Sequence, residues 1–183
     1  MVKRIGILIL FMGVLVFVGC STQLAPLIMR KIPYTENKLR IDGYYYSDID
    51  KEISDMAHNI AIFYRDGFCF HILTQPKGQD ILQYIEDDIL LDDCLISKLK
   101  NLPRQIGVFR IKNSGIEFEI WDGASMIGGI IGTFSYYGEI INDTTFIINN
   151  IVYNGNNKRA SKYLTYHFKE FSQKPDSTNV FVK

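Results

Sequence analysis

The chain has 183 residues, of which 20 are basic and 20 acidic, and 47% are hydrophobic. This balance of charge excludes the basic footprint that nucleic-acid binding requires. Its 12 Phe and 11 Tyr exclude a disordered chain and point to a packed, β-rich domain.

The chain opens MVKRIGILILFMGVLVFVGC. Lys3 and Arg4 precede an uncharged apolar run of 15 residues, Ile5 to Gly19. A spanning helix needs about 20 such residues, so the layout reads as a secretory signal peptide instead. Its end, Phe17-Val18-Gly19-Cys20, resembles the lipobox of bacterial lipoproteins. The resemblance implies that Cys20 takes a diacylglycerol on its sulfur, that cleavage falls before it, and that the new amino end is acylated. Each buried methylene of such chains contributes about 0.8 kcal/mol of membrane affinity. The expected organisation is a signal peptide over 1–19, a lipidated tether over 20–38 and a single β-rich domain over 39–183. Without Lys3 and Arg4 the balance is 18 basic against 20 acidic residues, near −2. Neither an Asp nor an acidic run follows Cys20, which favours the periplasmic side of the outer membrane over the inner membrane or the cell surface.

In the tether, Leu24, Leu27, Ile28 and Met29 are apolar, suited to pack on the domain or to lie at the lipid surface. A first strand is expected over Leu39 to Tyr46 and a polar loop over Asp48 to Met56. Asn59–Arg65 and Phe68–Leu73 flank Asp66-Gly67, which predicts a two-residue type I′ hairpin. That turn would pair Phe63 with Phe70 and Ala61 with Ile72. Tyr64, Ile62, Cys69 and His71 would then take the other face. The stretch 79–101 carries helical spacing in Ile81, Leu82, Ile85 and Ile89. Asp92 or Asp93 would cap a second short helix over Cys94 to Leu99, and Pro103 stops it. Gln105 to Lys112 and Ile116 to Trp121 bracket another hairpin at Asn113-Ser114-Gly115, with Ile116, Phe118 and Ile120 on one face and Glu117, Glu119 and Trp121 on the other, and turns follow at Asp122-Gly123, Asn142-Asp143 and Asn154-Gly155. Gly128, Gly129 and Gly132 suggest a bend early in a long strand over Ile127 to Ile141. Thr144 to Tyr153 returns, and Tyr163 to Phe171 is the last strand. Lys158, Arg159 and Lys162 read as a solvated turn. The fold class is therefore mainly β: an antiparallel meander of about eight strands, closed into a barrel or strongly curved, with the helical segment over an opening or one face. Loosely, this is similar to the lipocalin-like barrels of bacterial lipoproteins.

No catalytic or metal-binding constellation emerges, and no cofactor is implied. His58, His71 and His167 are scattered, without the close pairing of metal ligands. Glu86, Asp87, Asp88, Asp92 and Asp93 read as helix caps and a solvated face. Gly128-Gly129 and Gly132 are followed by β-like sequence, not by the helix a phosphate loop needs. Cys69 and Cys94 are left for either a disulfide, which an exported chain permits, or two buried apolar positions. Tyr44, Tyr46, Trp121 and Tyr136 exceed plain core need and form the candidate surface for a ligand or protein partner.

The functional expectation is a non-enzymatic lipoprotein of the cell envelope. Its partners would be the membrane, through lipid at Cys20, and an envelope protein or small ligand. A lipocalin-like carrier of a small apolar or aromatic ligand is the alternative. A hydrolase using Glu117 and Glu119 ranks third.

Overall fold

The computed structural model describes residues 23–122 and 130–182. The signal peptide, Cys20 and the residues Gly123, Gly128 and Gly129 lie outside the described residues. Eight strands form a closed antiparallel barrel. These are β2 (Gly43–Ser47), β3 (His58–Phe63), β4 (Phe68–Thr74), β5 (Ile106–Lys112), β6 (Gly115–Trp121), β8 (Thr133–Asn142), β9 (Thr145–Tyr153) and β10 (Lys158–Glu170). Each pairs with its neighbour in sequence, and β10 closes on β2. Two short strands, β1 (Gln23–Leu24) and β7 (Ile130–Ile131), pair in parallel as a separate two-stranded sheet.

Side chains alternate across a strand, and here each set finds its own core. The inward set includes Tyr45, Phe63, Phe109, Phe118, Phe146 and Tyr166, which fill the barrel. Their rings touch at centroid distances such as 4.6 Å for Phe63–Phe109 and 4.5 Å for Phe146–Tyr166. The outward set on β3 and β4 (Ile60, Ile62, Phe70 and Ile72) is buried as well, under the helical segment.

That segment starts as α1 (Ile81–Gln83), capped by the Asp80 carboxylate on the amides of Leu82 and Gln83, and continues as a π-helical stretch, Tyr84–Leu90. The second helix, α2 (Asp93–Lys100), is capped by Asp92, which accepts from the Leu95 amide at 3.0 Å. Ile85, Ile89 and Ile96 join the outer cluster, so the helices cover a barrel face and not an opening. Asp92→Ala is expected to cost about 1 kcal/mol of stability, the usual worth of an N-cap, read as a lower denaturant midpoint at unchanged slope.

The first hairpin corrects the predicted register. Phe63 pairs with Cys69, Ile62 with Phe70 and Ala61 with His71. Only Gly67 has positive φ, at 85°, so the turn is not the I′ type that Asp66-Gly67 suggested. The Gly67 amide bonds the Tyr64 carbonyl, and the Tyr64 amide bonds the Phe68 carbonyl. This is a three-residue loop whose left-handed third residue forms a bulge. Gly67 is required there twice over, because a Cβ would also lie 2.2 Å from the Ile32 carbonyl oxygen. The one-residue slip exchanges partners across the sheet. Phe63, Ala61, Cys69 and His71 point into the barrel, while Ile62 and Phe70 meet the helices.

Strand β10 is longer than expected. It begins at Lys158, so Lys158, Arg159 and Lys162 belong to a strand and not to a turn. A break in register between Ser161 and Leu164 places Lys162 within a bulge.

Residues of the expected tether pack on the barrel wall. Glu119 on β6 is fully buried, and its carboxylate accepts from the amides of Ile28 (3.1 Å) and Met29 (2.6 Å). Asn154 adds a third bond at 3.0 Å. The Trp121 indole donates to the Ala25 carbonyl at 2.7 Å, and Met29 and Tyr34 are buried. Tyr34 then folds back over Leu39, bonding its amide at 2.8 Å.

Candidate functional site

The strand directions give the barrel two unlike ends. At one end lie the hairpin turns after β3, β5 and β8. This end is plugged: Tyr34 and Leu39 sit among the interior side chains, and the Tyr45 hydroxyl donates to the carbonyls of Arg40 and Asp143. At the other end lie the loop 48–57 and the turn between β9 and β10. There the aromatic filling stops, and a cavity of about 260 Å³ opens, lined among others by Asn59, His71, Leu73, Gln105, Trp121 and Tyr136.

Inward-facing polar side chains gather at this mouth. His71 is only 5% exposed, and its Nε2 lies 2.9 Å from the Tyr166 hydroxyl. Burial, and then the charge of Lys162, push the His71 imidazole down to about 3, so it is neutral at physiological pH. Burial raises the phenol of Tyr166, so that partner is neutral too. Nearby, Lys162 reaches Asp50 at 2.5 Å, with side chains 10% and 2% exposed. Asn59 donates to the same Asp50 oxygen at 3.1 Å, and the exposed Glu52 lies 3.4 Å from the ammonium. The mouth thus combines a neutral imidazole, a paired charge and the carboxamide of Asn59 beside the apolar Leu73 and Ile120. Such a mixture binds and orients a small molecule by shape and hydrogen bonds.

The four aromatic candidates do not form one surface. Tyr44 points outward but is covered by the helical segment, bonding Glu86 at 3.0 Å. Tyr46 lies on the outer wall with its ring 5.7 Å from that of His167. Trp121 and Tyr136 alone reach the cavity, Tyr136 from inside, stacked on Phe118 at 4.6 Å. Strand alternation keeps Tyr44 and Tyr46 together on the outer face, with Tyr45 between them pointing into the barrel.

The carboxylates of Glu117 and Glu119 do not meet in a cleft. Glu117 pairs with Arg110 on the outer wall, and Glu119 holds the N-terminal segment. Among the described residues no group of three or more His, Cys, Asp or Glu side chains is placed to hold a metal ion.

The weighed disulfide is not formed. Cys69 is sealed in the barrel, whereas Cys94 is exposed on α2 outside it. In the native state one thiol, Cys94, is expected to react with a thiol reagent within minutes, and Cys69 only on unfolding. Burial also raises the Cys69 thiol, which suppresses its thiolate. Mass spectrometry of the labelled protein checks this.

Sequence reasoning missed Asp50, Asn59 and Lys162 as partners. Alternation could not place Lys162, because the bulge between Ser161 and Leu164 interrupts it. Comparison with protein-family models, curated proteins and solved structures finds no match.

Proposed function

We propose that the chain is a lipid-anchored envelope protein that acts by non-catalytic binding at the open mouth of its barrel. The observation that carries this reading is the asymmetry of the barrel. One end is plugged by aromatic side chains, and the other holds a cavity of about 260 Å³ with buried polar groups at its edge. The anchor part rests on the Phe17-Val18-Gly19-Cys20 sequence and its resemblance to a lipobox. It implies acyl chains on Cys20, and the lack of an Asp or an acidic run after Cys20 favours the periplasmic side of the outer membrane. Apolar or aromatic ligands of the kind lipocalin-like barrels carry fit only at the mouth, since Phe63, Phe118 and Phe146 occupy the interior. A hydrolase built on Glu117 and Glu119 has the least support, because both are engaged away from the cavity.

Intact mass of the membrane-extracted protein, beside its Cys20→Ala form, tests the anchor. A mature mass beginning at Cys20 with added acyl chains is expected, together with loss of membrane retention in Cys20→Ala. An uncleaved mass overturns the lipoprotein assignment. Turnover of a defined substrate, abolished by one side-chain change at the mouth, overturns the non-catalytic one.

A further inference from the structure

We infer that the loop 48–57 and the adjoining part of β10 dock onto a lipid surface, the one that holds the acyl chains on Cys20. The inference rests on the lipid-anchor reading and adds to it the orientation of the barrel. Its first support is the loop itself. Ile49, Ile53 and Met56 are all exposed, at 42%, 47% and 49%. Apolar residues scattered singly are ordinary on a protein surface, but three large ones in one loop mark a contact. Tyr163, at 85%, is exposed further still. It follows Lys162, whose ammonium pairs with Asp50 inside the loop at 2.5 Å. The Asp48 amide also bonds the Thr165 carbonyl at 2.9 Å, so loop and strand form one unit.

The exposure is built into the fold. Within the loop the amides of Ile53 and Ser54 bond the Asp50 carbonyl, and the Asp50 amide bonds the Ala57 carbonyl at 2.6 Å. The buried Asp50 carboxylate is held by Lys162 and Asn59. This backbone is fixed, yet it leaves three large apolar side chains in water. The loop joins β2 to β3, across the barrel from the connection between β6 and β8.

The course of the N-terminal segment identifies the occupant. Gln23 and Leu24 pair with Ile130 and Ile131, just before β8, and the Ala25 carbonyl accepts from Trp121, the last residue of β6. Strand β6 ends, and β8 begins, at the end of the barrel that carries the loop. The Tyr34 amide then bonds the Arg65 carbonyl in the turn after β3, at the opposite end. The segment therefore starts at the loop's end and runs away from it. Cys20 stands three positions before Gln23, at most about 11 Å of chain. Eight strands about 4.8 Å apart make a barrel roughly 15 Å across, so anchor and loop share one footprint. Charge decides the type of contact. Exposed Asp48, Glu52 and Asp55 in the loop are balanced by Lys51 and by Lys158 and Arg159 at the start of β10. With no excess charge to draw this end to anionic lipid, apolar insertion makes the contact, with Tyr163 at the headgroup level.

The test uses the full-length acylated protein in phosphatidylcholine vesicles, with acylation read on the same sample by intact mass. A nitroxide is placed, on a Cys94→Ser background, at Ile53→Cys, Met56→Cys or Tyr163→Cys. Cys69 is buried and Cys20 carries lipid, so one thiol takes the label. Ile141→Cys, at a 56% exposed site before the turn after β8, reports the opposite end, and Ile28→Cys reports the wall. Unchanged Trp121 emission checks the fold of each variant. Expected is an oxygen-to-nickel accessibility ratio about threefold or more higher at Ile53, Met56 and Tyr163 than at Ile28 and Ile141. Added salt or phosphatidylglycerol should leave it unchanged. Water-like ratios at every position overturn the inference, as does a high ratio at Ile28 with low ones in the loop. Insertion that requires phosphatidylglycerol overturns it as well. Spin–spin broadening in the loop that vanishes on dilution with unlabelled protein assigns the patch to a second copy and overturns it too. If Cys20 is acylated and the loop stays in water, the orientation alone fails. If Cys20 is unmodified, the anchor reading fails and the inference falls with it.

Discussion

Replacing Glu119 by Leu is expected to destabilise the protein by about 3–4 kcal/mol and to lift the N-terminal segment from the barrel. Glu119 is a buried carboxylate that accepts three bonds, from the Ile28 and Met29 amides and from Asn154. Hydrogen bonds to charged groups contribute roughly 1.5–3 kcal/mol each, but the loss falls short of the sum because lifted amides regain water. The loss is therefore limited by what the packed segment contributes: burial of Met29 and the Trp121–Ala25 bond. Glu119→Gln keeps the shape but turns an amide NH₂ toward one of the donors, so about 2 kcal/mol is expected. Trp121 is the single tryptophan of the chain and gives the readout. Its emission should move to longer wavelength in Glu119→Leu, and proteolysis should appear between residues 25 and 34. An unchanged midpoint with unchanged emission would show that the segment is held by apolar contact alone.

The same residue marks where sequence reading ends. The strand carrying Glu119 was legible from its alternation, with Ile116, Phe118 and Ile120 on one face, and that face is the barrel interior. The role of Glu119 was not legible, because its partners lie 90 and 91 positions away in a stretch without regular period. Asp66-Gly67 announced a hairpin correctly, yet the register moved by one. Local chemistry permits two turn lengths there, and packing of Ile32 against Gly67 is part of what the sequence could not display. His71 shows the consequence. Its alternation with Cys69 was readable, but whether that face was core or helix-covered depended on closure of β10 on β2, a pairing across the whole chain. Asp50 sat in a stretch that reads as a polar loop, and Lys162 in one that reads as a turn. Each is correct as local propensity, and neither reveals an ion pair between them.

That pair leads to the second large effect. Lys162→Met is expected to cost about 3–5 kcal/mol, because it strands a buried carboxylate whose other side-chain bond among the described residues is from Asn59. Asp50→Leu should cost less, about 2–3 kcal/mol, since the stranded ammonium retains Glu52 at 3.4 Å and more contact with water. The double variant Asp50→Leu/Lys162→Met removes both charges together. It should recover most of the loss and lie within about 1–2 kcal/mol of the parent, as buried pairs replaced by apolar groups often do. A double-mutant cycle by chemical denaturation measures this, and the coupling should reach several kcal/mol. Simple additivity of the two single losses would show that the two side chains act independently. Recovery in the double variant would instead assign the pair a task other than stability.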